Sequence, residues 1–174
     1  MHVNYEFKAR SYRSEELEQR LQPFHPRFIG TDHQIDTYFH TESGRLKLRE
    51  GHIENALIHY ERSNLAGARQ SNVLLYAHQP NATLKQILVK TLGVKVVVNK
   101  KRKIYFIGNV KFHFDQVEEL GSFVEVEAID LEGSIGIARL QEQCRQYADL
   151  FQLGADDYIA QSYSDLLLAK KSST

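Results

Sequence analysis

Cysteine occurs once in this chain of 174 residues, at Cys144, so no internal disulfide can form and no cysteine–histidine metal cluster is available. The plain reading is a reducing compartment, with a free thiol buried in a helix. Net charge is also missing, because 22 lysines and arginines balance 22 aspartates and glutamates. That balance removes the overall positive field with which a general polyanion or nucleic-acid binder steers its ligand, while leaving room for a local basic site. No apolar run approaches the roughly 18 residues that cross a membrane. The start, Met1-His2-Val3-Asn4-Tyr5-Glu6, carries no signal-peptide pattern. A soluble, cytoplasmic protein with no nucleic-acid or membrane partner is expected. Internal repeats, low-complexity stretches and a glycine-rich phosphate loop are absent as well.

What is present is ordinary globular material, 42% hydrophobic and 25% charged. The length suits a single domain over residues 1–174, large enough to bury roughly 70% of its unfolded surface. Val3 to Arg10 alternates Val3, Tyr5, Phe7 and Ala9 with Asn4, Glu6, Lys8 and Arg10, which is a period-2 strand with one ionic face. Further strands are expected over 34–40, 45–50, 56–63, 70–77, 94–107, 110–115 and 123–129, with turns at Glu42-Ser43-Gly44 and Gly108-Asn109. Helices are expected from Ser14, as N-cap, to before Pro23, from Asn81 to Leu92 with Gly93 ending it, over 134–153, and over 162–170. The 134–153 helix places Ile137, Leu140, Cys144, Tyr147 and Phe151 on one core stripe, and residues 170–174 form the only tail. Around eight strands with few helices imply a barrel or a strongly curved sheet, and closure would remove exposed strand edges.

The unusual feature is ionic charge on the second face of several strands. Arg45, Lys47 and Arg49 alternate with Leu46 and Leu48, and Lys100 and Arg102 lie two apart. Lys111, His113 and Asp115 alternate with Phe112 and Phe114, and Glu125 and Glu127 with Val124 and Val126. Two readings follow. These faces are solvated surface, or the sheet closes with its apolar face outward under helices and its charged face lining a hydrated tunnel. Basic side chains grip phosphate oxygens, and carboxylates two apart on a strand share a hard cation. Both signs clustered together make a metal–polyphosphate site plausible where neither alone would.

These segments, in this order, resemble the CYTH superfamily, the triphosphate tunnel metalloenzymes, which include class IV adenylate cyclases, thiamine triphosphatases and inorganic triphosphatases. Asn4-Tyr5-Glu6-Phe7-Lys8 stands where the family has Glu-x-Glu-x-Lys. Asp36-Thr37-Tyr38-Phe39, Gly44-Arg45-Leu46-Lys47-Leu48-Arg49, Tyr60-Glu61-Arg62 and Val98-Asn99-Lys100-Lys101-Arg102 look like its next strands. The run from His113 to Glu127 is similar to the cyclase-like Asp, Val-Glu-x-Leu-Gly, Phe-x-Glu-x-Glu pattern, and Ser162-Tyr163-Ser164-Asp165-Leu166-Leu167 to the end of a cyclase-annotated branch. The resemblance covers nearly the whole chain. It implies an α+β fold: a closed antiparallel eight-stranded β-barrel, the triphosphate tunnel, with helices packed outside.

It also implies roles. Glu6, Glu125 and Glu127 would hold one or two Mg2+ or Mn2+ ions, and Asp115 would be a ligand, a group behind the ligands, or a positioner of the nucleophile. Lys8, Lys47, Arg49, Arg62, Lys100 and Arg102 would cradle the phosphates, with Lys8 and Asp115 the candidates for catalysis. Arg10, Arg69 and Lys111 divide between structural and binding roles, and a lone strand histidine such as His113 is more often structural. Asn4 departs from the family's first glutamate: it is a neutral, weaker partner for a divalent cation. The implied substrate is a nucleoside triphosphate or another organic or inorganic triphosphate. Three functions stay open at this point: an enzyme, either an adenylate cyclase or a triphosphatase; a catalytically weak sensor of nucleotide or polyphosphate; and a structural domain with a solvated charged face. A homodimer is possible, though no motif argues for one.

Overall fold

The computed structural model describes residues 1–173, so Thr174, the end of the expected tail, lies outside the described residues. Eight strands form one closed sheet: β1 (His2–Arg10), β2 (Arg27–Phe39), β3 (Arg45–Glu50), β4 (Ala56–Arg62), β5 (Arg69–Ala77), β6 (Val94–Ile107), β7 (Val110–Val117) and β8 (Gly121–Asp130). Their order around the barrel is β1-β5-β4-β3-β2-β6-β7-β8, and β8 pairs back onto β1 with Glu6 opposite Glu127 and Lys8 opposite Glu125. Every pairing is antiparallel. Closure leaves no free edge, which settles the choice between curved sheet and barrel.

The period-2 pattern now has a direction. Phe7, Phe112, Phe114, Val124 and Val126 point out of the barrel and pack under α1 (Ser14–Leu21) and α3 (Ile137–Leu150), against Leu17, Leu21, Leu140, Cys144, Tyr147 and Phe151. Phe112 meets Tyr147 edge to face at 4.7 Å between ring centroids. The Cys144 Sγ donates to the Tyr5 carbonyl at 3.1 Å, and burial pushes its thiol up to about 12, so it is packing and not chemistry. A second apolar cluster closes one end of the barrel, where Tyr163 and Leu167 of α4 (Tyr163–Ser172) pack with Tyr38, Tyr60, Val96, Val98 and Phe123. The remaining helix, α2 (Ala82–Leu92), lies on the outside with no fully buried residue.

Several boundaries differ from the sequence reading, each for a local reason. β2 begins at Arg27, seven residues before the expected Gln34, because it pairs along β6 as far as Phe106. α3 begins at Ile137 and not at 134, since the Asp130 carboxylate accepts the backbone N–H groups of Gly133, Ser134, Ile135 and Gly136 and holds them in a turn. Ile137 is therefore 40% exposed and leaves the expected core stripe. Ser14 does not cap α1, whose N-cap is Arg13 without a side-chain bond. Ser162 caps α4 in a reciprocal box with Asp165, Asn81 accepts from Thr83 N–H at 2.8 Å, and Gly93 ends α2 at φ 70°.

Because α3 seals the barrel wall, Phe112→Ala should cost about 3–5 kcal/mol. Ile137→Ala on the same helix should change stability by less than about 0.5 kcal/mol. Urea unfolding of the two variants checks the contrast; equal effects would contradict this assignment of the core.

Candidate active site

The inner face of the barrel encloses a cavity of about 350 Å³. It is lined by Glu6 and Lys8 from β1, Lys47 and Arg49 from β3, and Arg62 from β4. Lys100 and Arg102 from β6 and Glu125 and Glu127 from β8 complete that set. These are nine of the ten residues that the resemblance assigned to the site; the tenth, Asp115, does not line the cavity. At one end the lining residues Ile53, Leu75 and Ala77 are exposed; at the other, Tyr38, Tyr60, Ser162 and Tyr163 are buried beneath α4. The cavity thus has one mouth and one floor.

Charges inside a barrel must be paired or hydrogen-bonded, and here nearly all are. Asp36 is the hub of one group: its carboxylate accepts from Lys47 at 2.9 Å, from Arg49 at 2.9 Å through both Nε and Nη2, and from Lys100 at 2.7 Å. Burial opposes its ionisation, but Arg49, Lys100 and Lys47 win and hold it well below the usual carboxylate range. Burial dominates at Lys100 and lowers it to about 7 against the pull of Asp36. A second group centres on Arg102, which donates to Asp115 at 2.7 and 2.5 Å and to Glu125 at 2.8 Å. Lys8 lies 3.1 Å from Glu125 and 3.8 Å above the Tyr163 ring, and Arg62 pairs with Glu6 at 2.5 Å.

Asp115 was expected as ligand, supporting group or nucleophile positioner. One of its oxygens accepts from Arg102 Nε, the other from Arg102 Nη2 and from the Tyr163 hydroxyl at 2.7 Å, and the residue does not line the cavity. That geometry suits a positioning residue for Arg102. His113, only 1% exposed, sits behind Glu125 with Nδ1 at 3.3 Å, and burial lowers it to about 3, so it is neutral. Arg10 points outside to the Leu120 carbonyl, and Arg69 is buried with its Nη1 on the Leu65 carbonyl. Lys111 does line the cavity.

The donor set fits a hard divalent cation. Burial, and the nearness of Glu6 and Glu125, raise Glu127 to about 7, the mark of carboxylates gathered without enough positive charge between them. Asn4 is 6% exposed, lines the same cavity, and its Oδ1 is buried with no hydrogen-bond partner. Oxygens from carboxylates and an amide are the ligands that magnesium and manganese take. Glu6, Glu125 and Glu127 face this part of the cavity with Asn4, and ligand atoms of Glu125, Glu127 and His113 lie within 4.8 Å of one another.

Sequence reasoning missed Asp36 as a hub and Glu54 altogether. Asp36 shares one face of β2 with Gln34 and Tyr38, two residues to either side, a period-2 signal the sequence did contain. Glu54 comes from the loop after β3, where no periodicity marks it.

Lys100 supplies a test of this charge network. Its folded value lies below that of an unfolded lysine, so between about pH 7 and pH 10 the unfolded chain binds more protons and stability rises with pH. Relative to Lys100→Met, the wild-type protein should gain on the order of 1 kcal/mol per pH unit across pH 7–9. Urea midpoints at several pH values measure the difference; a flat difference would mean that Lys100 stays charged throughout.

No curated protein matches the chain in sequence. Among solved structures, a conserved hypothetical protein from Pyrococcus furiosus superposes with a TM-score of 0.78 at 21% identity, over 94% of this chain and 99% of that one. A putative adenylate cyclase from Vibrio parahaemolyticus does so at 0.77 and 17% identity, over 95% and 97%. A putative adenylyl cyclase from Hippeastrum, described as revealing a dominant triphosphatase activity, matches at 0.59 and 13% identity, over 99% and 96%. Those likenesses share the barrel; the sequence itself matches the CYTH domain from residue 2 to residue 163, and the chain belongs to that family.

Proposed function

We propose that the tunnel binds a triphosphate together with Mg2+ or Mn2+ and activates one of its phosphorus atoms. Class IV adenylate cyclase-like conversion of ATP to cyclic AMP and pyrophosphate is the leading reaction. The observation that carries this reading is the convergence of seven lysine and arginine side chains and four carboxylates on one cavity. Bound by Glu6, Glu125 and Glu127, the cation would offset charge on phosphate oxygens. Lys47, Arg49 and Lys100, gathered by Asp36, form one phosphate-gripping set, and Lys8, Arg62 and Arg102 form another. Arg102 is held in its fork geometry by Asp115, so its donors are oriented before any substrate arrives. Lys8, facing the cavity beneath the Tyr163 ring, is the group of this chain best placed to meet the phosphoryl oxygen on which charge develops.

The cavity wall favours a substrate with an organic end, since Ala56, Ile58, Val73, Leu75 and Ile129 line it with apolar surface. In the cyclase reaction a ribose 3′-oxygen attacks the α-phosphorus; in the hydrolase reaction water attacks the γ-phosphorus. Hydrolysis is the second reading, supported by the triphosphatase activity ascribed to the Hippeastrum protein of the same fold. A weak nucleotide or polyphosphate sensor is the third, kept by Asn4 in place of the family's glutamate. The setting we assign is the cytoplasm; among the described residues no helix is long and apolar enough to cross a membrane.

Product analysis with ATP and tripolyphosphate, in magnesium or manganese, separates these readings. Cyclic AMP and pyrophosphate from ATP are expected, and Glu127→Ala should reduce the rate on the order of 100-fold or more. Orthophosphate without cyclic AMP would install the hydrolase, and binding without product the sensor. Neither binding nor turnover would end the triphosphate reading.

A further inference from the structure

The cavity mouth carries a carboxylate that the chemistry above leaves unused. Glu54 lies in the short connection between β3 and β4, beside the exposed Ile53. Lys111 Nζ donates to its Oε1, and Arg49 Nη1 and Gln34 Nε2 donate to its Oε2, each at 3.0 Å. Arg49 is one of the phosphate-gripping cations, and Lys111 lines the cavity opposite Glu127 in the β7–β8 register. Glu54 therefore holds, from the mouth side, two cations that a phosphate chain would otherwise reach.

The connection that presents Glu54 is clamped. Asp32, fully buried on β2, accepts the backbone N–H groups of His52 at 2.7 Å and of Ile53 and Glu54 at 3.0 Å. The Asn55 side chain closes on both the N–H and the carbonyl of Gly51, at 3.1 and 2.9 Å. A Cβ at Gly51 would stand 2.6 Å from the Asp32 carboxylate, so only glycine lets the two approach so closely. Gln34 finally bridges Asp32, at 2.9 Å, and Glu54. Glu54 is thus a fixed fitting, not a lid. A phosphate arriving at its depth would have to take Arg49 and Lys111 away from it, leaving a largely buried carboxylate beside a second anion.

We propose that Glu54 is a specificity-determining residue that ends the phosphate track: it admits a chain of three phosphates whose organic group lies beside it, and rejects a fourth phosphate at that depth. This rests on the triphosphate reading of the tunnel. An organic group that is uncharged, or that offers a hydrogen-bond donor to the carboxylate, satisfies Glu54; a further phosphate is repelled by it.

Calorimetry with tripolyphosphate and tetrapolyphosphate in magnesium, with product release followed in parallel, tests the proposal. The wild-type protein should bind tetrapolyphosphate no more tightly than tripolyphosphate. In Glu54→Gln the ratio should move towards tetrapolyphosphate by about tenfold or more, while Glu54→Asp, which keeps the charge, should retain the wild-type order. Wild-type protein that already binds tetrapolyphosphate about tenfold more tightly would overturn the proposal without recourse to any variant. So would a ratio unchanged in a Glu54→Gln protein of normal melting temperature, or an Asp variant that behaves like Gln. Binding of ATP but of neither inorganic chain would overturn this inference alone; if the wild-type protein bound neither chain nor ATP, the triphosphate reading itself would fall, and this inference with it.

Discussion

A barrel interior that carries ions must neutralise them locally, and the meeting of Asp36 with Lys47, Arg49 and Lys100 is the clearest instance of that constraint. An isolated charge at that depth would cost several kcal/mol in desolvation. Three strands, β2, β3 and β6, must therefore stay in register for the hub to form. The apolar faces of the strands are left to point outward, and much of the helical mass exists to cover them. The Cys144 stripe and the Phe112 contact with Tyr147 follow from the decision to put charge inside.

Such a network suits anion binding because its cations are already gathered and aimed. In the proposed triphosphate complex each one would exchange an internal carboxylate partner for a phosphate oxygen, or share it, with little rearrangement of the strands. Arg102 shows the arrangement at its tightest, with its fork taken by Asp115 and its remaining reach directed to Glu125. The opposite imbalance occurs around Glu127, where carboxylates crowd, and the orphaned Asn4 oxygen stands on the neighbouring strand. Excess carboxylate oxygens on one wall and excess cations on another give the cavity an electrostatic polarity, along which the proposed metal-bound polyphosphate would align.

Much of this was legible in the chain. The alternations at Glu6/Lys8, Lys47/Arg49, Lys100/Arg102 and Glu125/Glu127 located the strands and selected residues that do converge on one cavity. Alternation alone could not say whether the ionic face met water or a lumen, because both obey the same period of two. The order of motifs supplied that direction. Features made by single long-range acceptors stayed hidden: Asp130 delays α3, and Asp32 fixes the turn that carries Glu54. Neither a propensity nor a periodicity marks a carboxylate that will collect backbone N–H groups from a distant segment. The alternation placed Asp115 on the inner face of β7, yet its place behind Arg102 depends on the Tyr163 hydroxyl arriving from the far end of the chain.

The floor of the cavity, lined by Tyr38, Tyr60 and Tyr163 beneath α4, is buried, so the exposed end beside Ile53 and Leu75 is the way in. Were a polyphosphate cut in a channel that opens only there, departure would follow the rule of a stack, with the fragment that entered first leaving last. The outer fragment would then shield the inner one from solvent until it went, and escape of the inner fragment would be paced by the vacancy ahead of it.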